Sequence, residues 1–273
     1  MTWTREPAVA GFFYPAGESA LRDEVDGFLR TASQRWRQDG TEEERGGGGA
    51  VKALIAPHAG YPYSGPVAAS AYVRLGPREK AIRRVILLGP AHRYSFRGLA
   101  ACSARGFGTP LGEVEGDGEA VAEILDQPQV QILDEAHRGE HSLEVHLPFI
   151  QRTLDDVRIV PLVVGIATPE EVDAVLRALW GGPETLVVVS SDLSHYLPYE
   201  KAVALDEETA RAVEALRPED IGAEQACGRT PMGGLLLRAR EKGMSVERVD
   251  LRNSGDTAGD RDRVVGYGSF LFR

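Results

Sequence analysis

The sequence predicts an α/β protein folded as a single domain, with a central, mostly parallel sheet flanked by helices. Three observations predict it. Short, continuous apolar runs rich in Val, Ile and Leu recur along the chain, as strands buried on both faces require. Segments with helical apolar spacing lie between several of those runs. No repeat, coiled coil or domain-dividing linker interrupts the 273 residues, a length that one large core accommodates.

The elements follow in order. Residues 19–36 form an amphipathic helix, because Leu21, Val25, Phe28, Leu29, Ala32 and Trp36 recur at spacings of three and four. Next comes QDGTEEERGGGGA, residues 38–50, polar and then glycine-rich. Phosphate-cradling glycine loops carry a downstream Lys-Ser/Thr, and this one instead has an acidic flank that repels phosphate, so a flexible surface loop is expected. Strands are predicted at residues 51–56, 84–88, 158–164, 185–189, 246–251 and 264–271. The clearest helix is TPEEVDAVLRALW: Thr168 caps, Pro169 suits the first turn, and Glu171 completes a capping box. Val172, Val175, Leu176, Leu179 and Trp180 then make one apolar stripe. Leu205, Thr209, Ala212, Val213 and Leu216 make another, stopped by Pro218.

Composition removes several classes of function. The net charge is −10, with acidic residues spread along the chain, which argues against nucleic acid and against anionic membrane surfaces as partners. Two cysteines, Cys102 and Cys227, make no disulfide framework and suit a reducing cytoplasm. The opening MTWTREPAVAGFFYP lacks the basic-then-apolar order of a signal peptide, and no apolar run approaches the roughly 20 residues of a membrane helix. A soluble, cytoplasmic protein is expected.

Chemistry gathers at strand ends. Residues 51–56 run into Pro57 and His58; residues 84–88 into Gly89, Pro90, Ala91 and His92; residues 185–189 into Ser190, Ser191, Asp192 and His195. In open α/β sheets, ligands bind in the crevice outside the carboxyl ends of the strands. Half of the six histidines occupy such positions. One histidine after a strand is usually a hydrogen-bonded loop residue; three, one of them with an aspartate three residues before it, point to a site.

The other histidines are His137, His141 and His146. The stretch EHSLEVHLPFIQRTL reads as helical, but it is not a zinc-protease helix. Those use histidines four apart or an adjacent Glu-His pair, whereas a five-residue separation turns the second ring about 140° from the first. His141 and Glu144 can share one face and reach a neighbouring crevice; a packing segment closed by Pro148 is the alternative. Cys227 stands before a helix that Thr230 caps and Pro231 begins. There it is either a thiol of lowered pKa, suited to metals or electrophiles, or a buried small residue. Cys102, in LAACS, reads as buried.

Together, APHAGYPYSG (56–65), ILLGPAH (86–92), EHSLEVHLPF (140–149), VVSSDLSH (188–195) and CGRTPMG (227–233) resemble the MEMO family, as does the opening REPAVAGFFYPA (5–16). The matches run in order over almost the whole chain. The family is similar in fold to class III extradiol ring-cleaving dioxygenases, whose non-haem iron sits on two histidines and a carboxylate. The resemblance implies metal ligands at His58, His92 and Cys227, the cysteine taking the carboxylate's place. It also implies an acid/base histidine at His195 with Asp192 beside it. Departures at Thr230 and His146 touch only the lining of the pocket.

Two imidazoles and a thiolate leave positions open on a metal. A carboxylate third ligand would complete the facial triad of Fe(II) oxygen chemistry, and a thiolate shifts preference toward copper or zinc without excluding iron. Iron or copper is expected foremost, with zinc as a further fit. His195, with an ordinary pKa near 6.5, suits proton transfer in both directions. Three readings stand: redox or dioxygenase-like chemistry on a small, aromatic substrate; a metal-binding scaffold with protein partners; and a hydrolase using metal-bound water.

Overall fold

The computed structural model describes residues 3–39, 49–75 and 81–273. The expected glycine-rich loop falls mostly outside them, and Gln38 and Asp39 extend the preceding helix rather than opening that loop. The chain runs through β1 (Thr4–Arg5), α1 (Glu18–Asp39), β2 (Ala53–Ala56), α2 (Tyr61–Tyr72), β3 (Arg84–Pro90), β4 (Leu99–Ala101), β5 (Gly106–Thr109) and β6 (Gly112–Glu115). It continues through α3 (Gly118–Ala122), β7 (Val130–Ile132), α4 (Asp134–Arg138), a 3-10 turn (Glu144–His146), α5 (Leu147–Thr153), β8 (Arg158–Val164) and α6 (Pro169–Leu179). Then come β9 (Thr185–Ser190), β10 (His195–Leu197), α7 (Tyr199–Glu214), α8 (Arg229–Lys242), β11 (Val246–Asn253), α9 (Ser254–Thr257) and β12 (Val264–Phe272).

The main sheet has the order β10-β12-β2-β9-β3-β8-β4-β7, with β11 also paired to β12. Its four inner strands, β2, β9, β3 and β8, are parallel. Antiparallel neighbours flank them, β12 beside β2 and β4 beside β8. The parallel character therefore belongs to the centre, and the edges are mixed. All six strands read from apolar runs are present; every residue of the central β2 and β9 is buried, whereas β11, outside the centre, is half-buried along most of its length.

Period-two alternation divides the core into two layers. Leu54, Val85, Leu87, Leu186 and Val188 face one layer, shared with α1, α2 and α5. Ile55, Ile86, Leu88, Val187 and Val189 face the other, shared with α6, α7 and α8. Helix α6 has the expected capping box, Thr168 accepting from the Glu171 amide and Glu171 accepting from the Thr168 amide.

Three departures from the sequence pattern have physical causes. Helix α2, YPYSGPVAASAY, has no apolar stripe because it is buried on most of its surface, so periodicity could not mark it. The stretch expected as one helix is irregular through Ser142, tightens into the 3-10 turn, and becomes α-helical only at Leu147, where Pro148 suits a first turn. Helix α8 begins at Arg229 after Gly228, and Thr230 makes no side-chain cap.

Candidate functional site

The strand order places the polar strand ends side by side. β2 pairs with β9 up to Ala56 opposite Ser190, and β9 pairs with β3. The residues just beyond these three ends, His58, Asp192 and His92, therefore emerge into one crevice. His58 and His92 approach edge to face, with ring centroids 5.1 Å apart.

The chain between α4 and the 3-10 turn supplies a third ring. His141 stacks on His92 at 4.8 Å and lies 5.5 Å from His58. One nitrogen from each of His58, His92 and His141 lies within 4.8 Å of the other two. The sequence left His141 open; the fold makes it a full member of the cluster. The Cys227 Sγ lies 3.3 Å from His58 Nε2. Cys227 thus borders the cluster at His58, and the group of nitrogens that encloses one point is three histidines.

Hydrogen bonds fix which nitrogens are free. Ser190 Oγ donates to the Ser142 carbonyl at 2.5 Å, so it accepts from His58 Nδ1 at 2.6 Å. Glu140, a buried carboxylate, accepts from His92 Nδ1 at 2.9 Å. With Nδ1 engaged in both rings, Nε2 is the nitrogen each turns to the crevice, that of His58 lying against the Cys227 Sγ. The Glu140 carboxylate also accepts from the amides of His92, His141 and Ser142. Burial alone would raise its pKa, yet these bonds, His92's first, hold it near 2. Sequence reading placed Ser190 at the strand end without giving it a role and missed Glu140, whose only signal was its position next to the motif histidine His141.

The electrostatics favour neutral imidazoles. Burial, reinforced by the neighbouring histidines, pushes the His58 pKa well below its ordinary value. Burial holds His141 near 4 despite the adjacent Glu140. The Nδ1 of His141 is buried and has no hydrogen-bond partner among the described residues. Imidazole nitrogens converging on one point, with His58 and His141 held neutral by burial and the His141 Nδ1 free of hydrogen bonds among the described residues, fit a metal ion.

Cys227 departs from the low-pKa alternative. Burial, with the Asp192 carboxylate beside it, pushes its thiol up to about 12. The approach is close: a Cβ on Gly228 would meet the Ser190 carbonyl at 2.6 Å, so only glycine lets α8 start against β9. Cys102 is buried, as read, with its thiol also pushed up to about 12 by burial.

The expected pairing of Asp192 with His195 takes a different form. Asp192 accepts from the His58 amide at 2.8 Å, and its other oxygen lies 4.0 Å from His58 Nε2. Burial raises its pKa to about 6, against the pull of the His58 amide and of the nearby imidazoles. His195 is exposed at the start of β10, and its Nδ1 donates to the Leu193 carbonyl at 2.8 Å. Asp192 therefore braces His58, and the backbone orients His195.

The remaining candidates turn away. His146 is buried against the Tyr72 hydroxyl at 3.0 Å, as the five-residue spacing requires. Glu144 leaves the crevice to pair with Arg5 and to accept from the Tyr14 hydroxyl and the Ala8 and Val9 amides. The Arg5 guanidinium also donates to the carbonyls of His137 and Glu140, tying the amino-terminal segment to the loop that carries His141.

Beside the cluster opens a cavity of about 360 Å³ whose lining includes His92, Arg93, Tyr94, Phe96, Ile166 and Cys227. A model of the Memo-like protein family matches residues 5–271 of this chain. The chain belongs to that family. Its MEMO1 relatives include proteins of Pyrobaculum arsenaticum, 37% identical, and Aquifex aeolicus, 36% identical, each match covering 98% of both chains. A third, from Aeropyrum pernix, is 38% identical over 96% of this chain and 97% of its own. In fold, the chain is similar to the crystal structure of an uncharacterized protein of Escherichia coli K12, with a TM-score of 0.53 at 14% identity, covering 80% of this chain and 99% of that one. The architecture is consistent with the class III extradiol dioxygenase-like fold that the MEMO resemblance implied. No helix among the described residues is long and apolar enough to cross a membrane.

Proposed function

We propose that this Memo-like protein is a metal-dependent oxidoreductase that binds iron or copper at His58, His92 and His141, with Cys227 alongside, and acts on a small aromatic substrate in the cytoplasm. The observation that carries the reading is the convergence of three imidazoles at the edge of a cavity of about 360 Å³. Imidazole suits iron, copper and zinc alike, and a redox-active ion there supplies electron transfer between an aromatic diol and O₂. Ser190 and Glu140 hold two of the rings in the ligating tautomer. Asp192 fixes the turn that carries His58. The exposed His195, its Nδ1 engaged by a carbonyl, keeps Nε2 free to carry a proton between substrate and solvent.

The test is elemental analysis of protein purified without chelator, followed by oxygen uptake with a panel of catechols. Bound iron or copper and catechol-dependent uptake, both lost in His58→Ala, are expected. A second reading has its own support: the nearest carboxylates, Asp192 and Glu140, are engaged by backbone amides, so the three-nitrogen group lacks a carboxylate ligand. That favours a site that binds metal and presents protein partners without turnover. Metal binding with no oxygen uptake, together with specific partner capture, would select it. Ester or amide turnover lost in His58→Ala would select a hydrolase instead.

A further inference from the structure

We propose that the cavity beside the histidine cluster selects small aromatic carboxylates, with Arg93 pairing the carboxylate and Tyr94, Phe96 and Ile166 covering the ring. The proposal rests on reading this cavity as the substrate site. The lining contains one permanent cation, Arg93, and no carboxylate. That is a selective arrangement in a chain whose net charge is −10. Arg93 shares the cavity wall with His92 and Cys227. It has no ion-pair partner among the described residues, whereas most arginines of the surrounding fold, such as Arg5, Arg84 and Arg152, are paired with acids. It lies close enough to His141 for its charge to disfavour the imidazolium.

The apolar part of the ligand is read from side chains left bare. Ile166 is 63% exposed and Tyr94 is 44% exposed, although both line a concave surface. Tyr94 and Phe96 present neighbouring rings, with centroids 6.5 Å apart. Concave sites with apolar walls and a few placed polar groups are where small molecules bind. A planar ring against those side chains leaves its carboxylate to a planar guanidinium that offers two parallel N–H donors. One unpaired cation balances one negative charge, so a carboxylate suits it better than a phosphate dianion.

The experiment uses the full chain kept metal-free with chelator, so that binding is separated from turnover. Benzoate, its neutral counterpart benzamide, and phenylphosphate are titrated, and binding is followed by calorimetry and ligand-observed NMR. Benzoate is expected to bind about tenfold tighter than benzamide or better, the range of a hydrogen bond to a charged group. That preference should vanish in Arg93→Gln and return in part in Arg93→Lys. Arg93 is exposed, and thermal unfolding of each variant checks that the fold is kept. Equal binding of benzoate and benzamide, no detectable benzoate binding, a preference that survives R93Q, or tighter binding of phenylphosphate would each overturn the proposal. A separate titration with Fe(II), Cu(II) or Zn(II) tests the metal reading. A benzoate preference in a chain that binds no metal would sink the metal centre and leave the anion site standing.

Discussion

Glu140 carries more of the site than its single negative charge suggests. Its carboxylate accepts from one imidazole and three backbone amides, so it sets both the tautomer of His92 and the path of the chain into His141. Outer-sphere carboxylates of this kind typically change metal affinity by about 10–100-fold when replaced. Glu140→Gln should therefore weaken metal binding by about that factor while the protein still unfolds cooperatively, as chelator competition and thermal unfolding would show. His141→Ala and Cys227→Ala separate the two candidate donor sets. If the three histidines hold the ion, His141→Ala loses at least as much affinity as Cys227→Ala; the reverse order would restore the set implied by the family resemblance. The strand-end positions of His58, His92 and Asp192 were legible because each follows a strongly patterned strand, whereas Cys227 was singled out as a ligand only by the family resemblance. Glu140 was not, because an acid beside a histidine looks the same whether it is solvated or buried.

At the scale of elements, the strongest local signals folded as written. The capping box of α6 satisfies two amides at the helix start, and Thr168→Ala should cost about 1 kcal/mol in urea unfolding. The amino-terminal clamp could not be read locally. Arg5 and Glu144 are both buried and lie far apart in sequence, and their pairing holds β1 against the loop that leads to His141. Removing one partner of a buried pair leaves an uncompensated charge, so Arg5→Met should destabilise by about 3–5 kcal/mol. It should also weaken metal binding, because the His137 and Glu140 carbonyls lose their donor. Unchanged urea midpoints would refute that account. Helix α2 and the small β1-β5-β6 sheet escaped the pattern for a related reason: they are short or buried all round, and neither condition leaves a period in the sequence.

For the whole molecule, buried neutral histidines set the response to acid. Burial lowers His137 to about 4 and His146 to about 3, against an ordinary value of 6.5. Below pH 6.5 the unfolded chain takes up protons that the folded chain refuses until its own lower pKa is reached. Stability is therefore complete above about pH 6.5 and falls as the pH drops toward 4, by up to about 1.4 kcal/mol per pH unit for each such histidine. Urea midpoints between pH 4.5 and 7.5 should show that slope, and His146→Gln should flatten it; a flat wild-type profile would refute the burial argument. The sequence by itself determined the α/β class, the inner strands, the family and the strand-end positions of His58, His92 and Asp192, since each follows from local periodicity or from a contiguous motif. Only the tertiary structure decided that β9 lies between β2 and β3, that His141 completes the cluster, and that Arg93 faces an acid-free cavity. Those facts depend on which distant segments pack together, and packing between segments far apart in the chain leaves no local period to read.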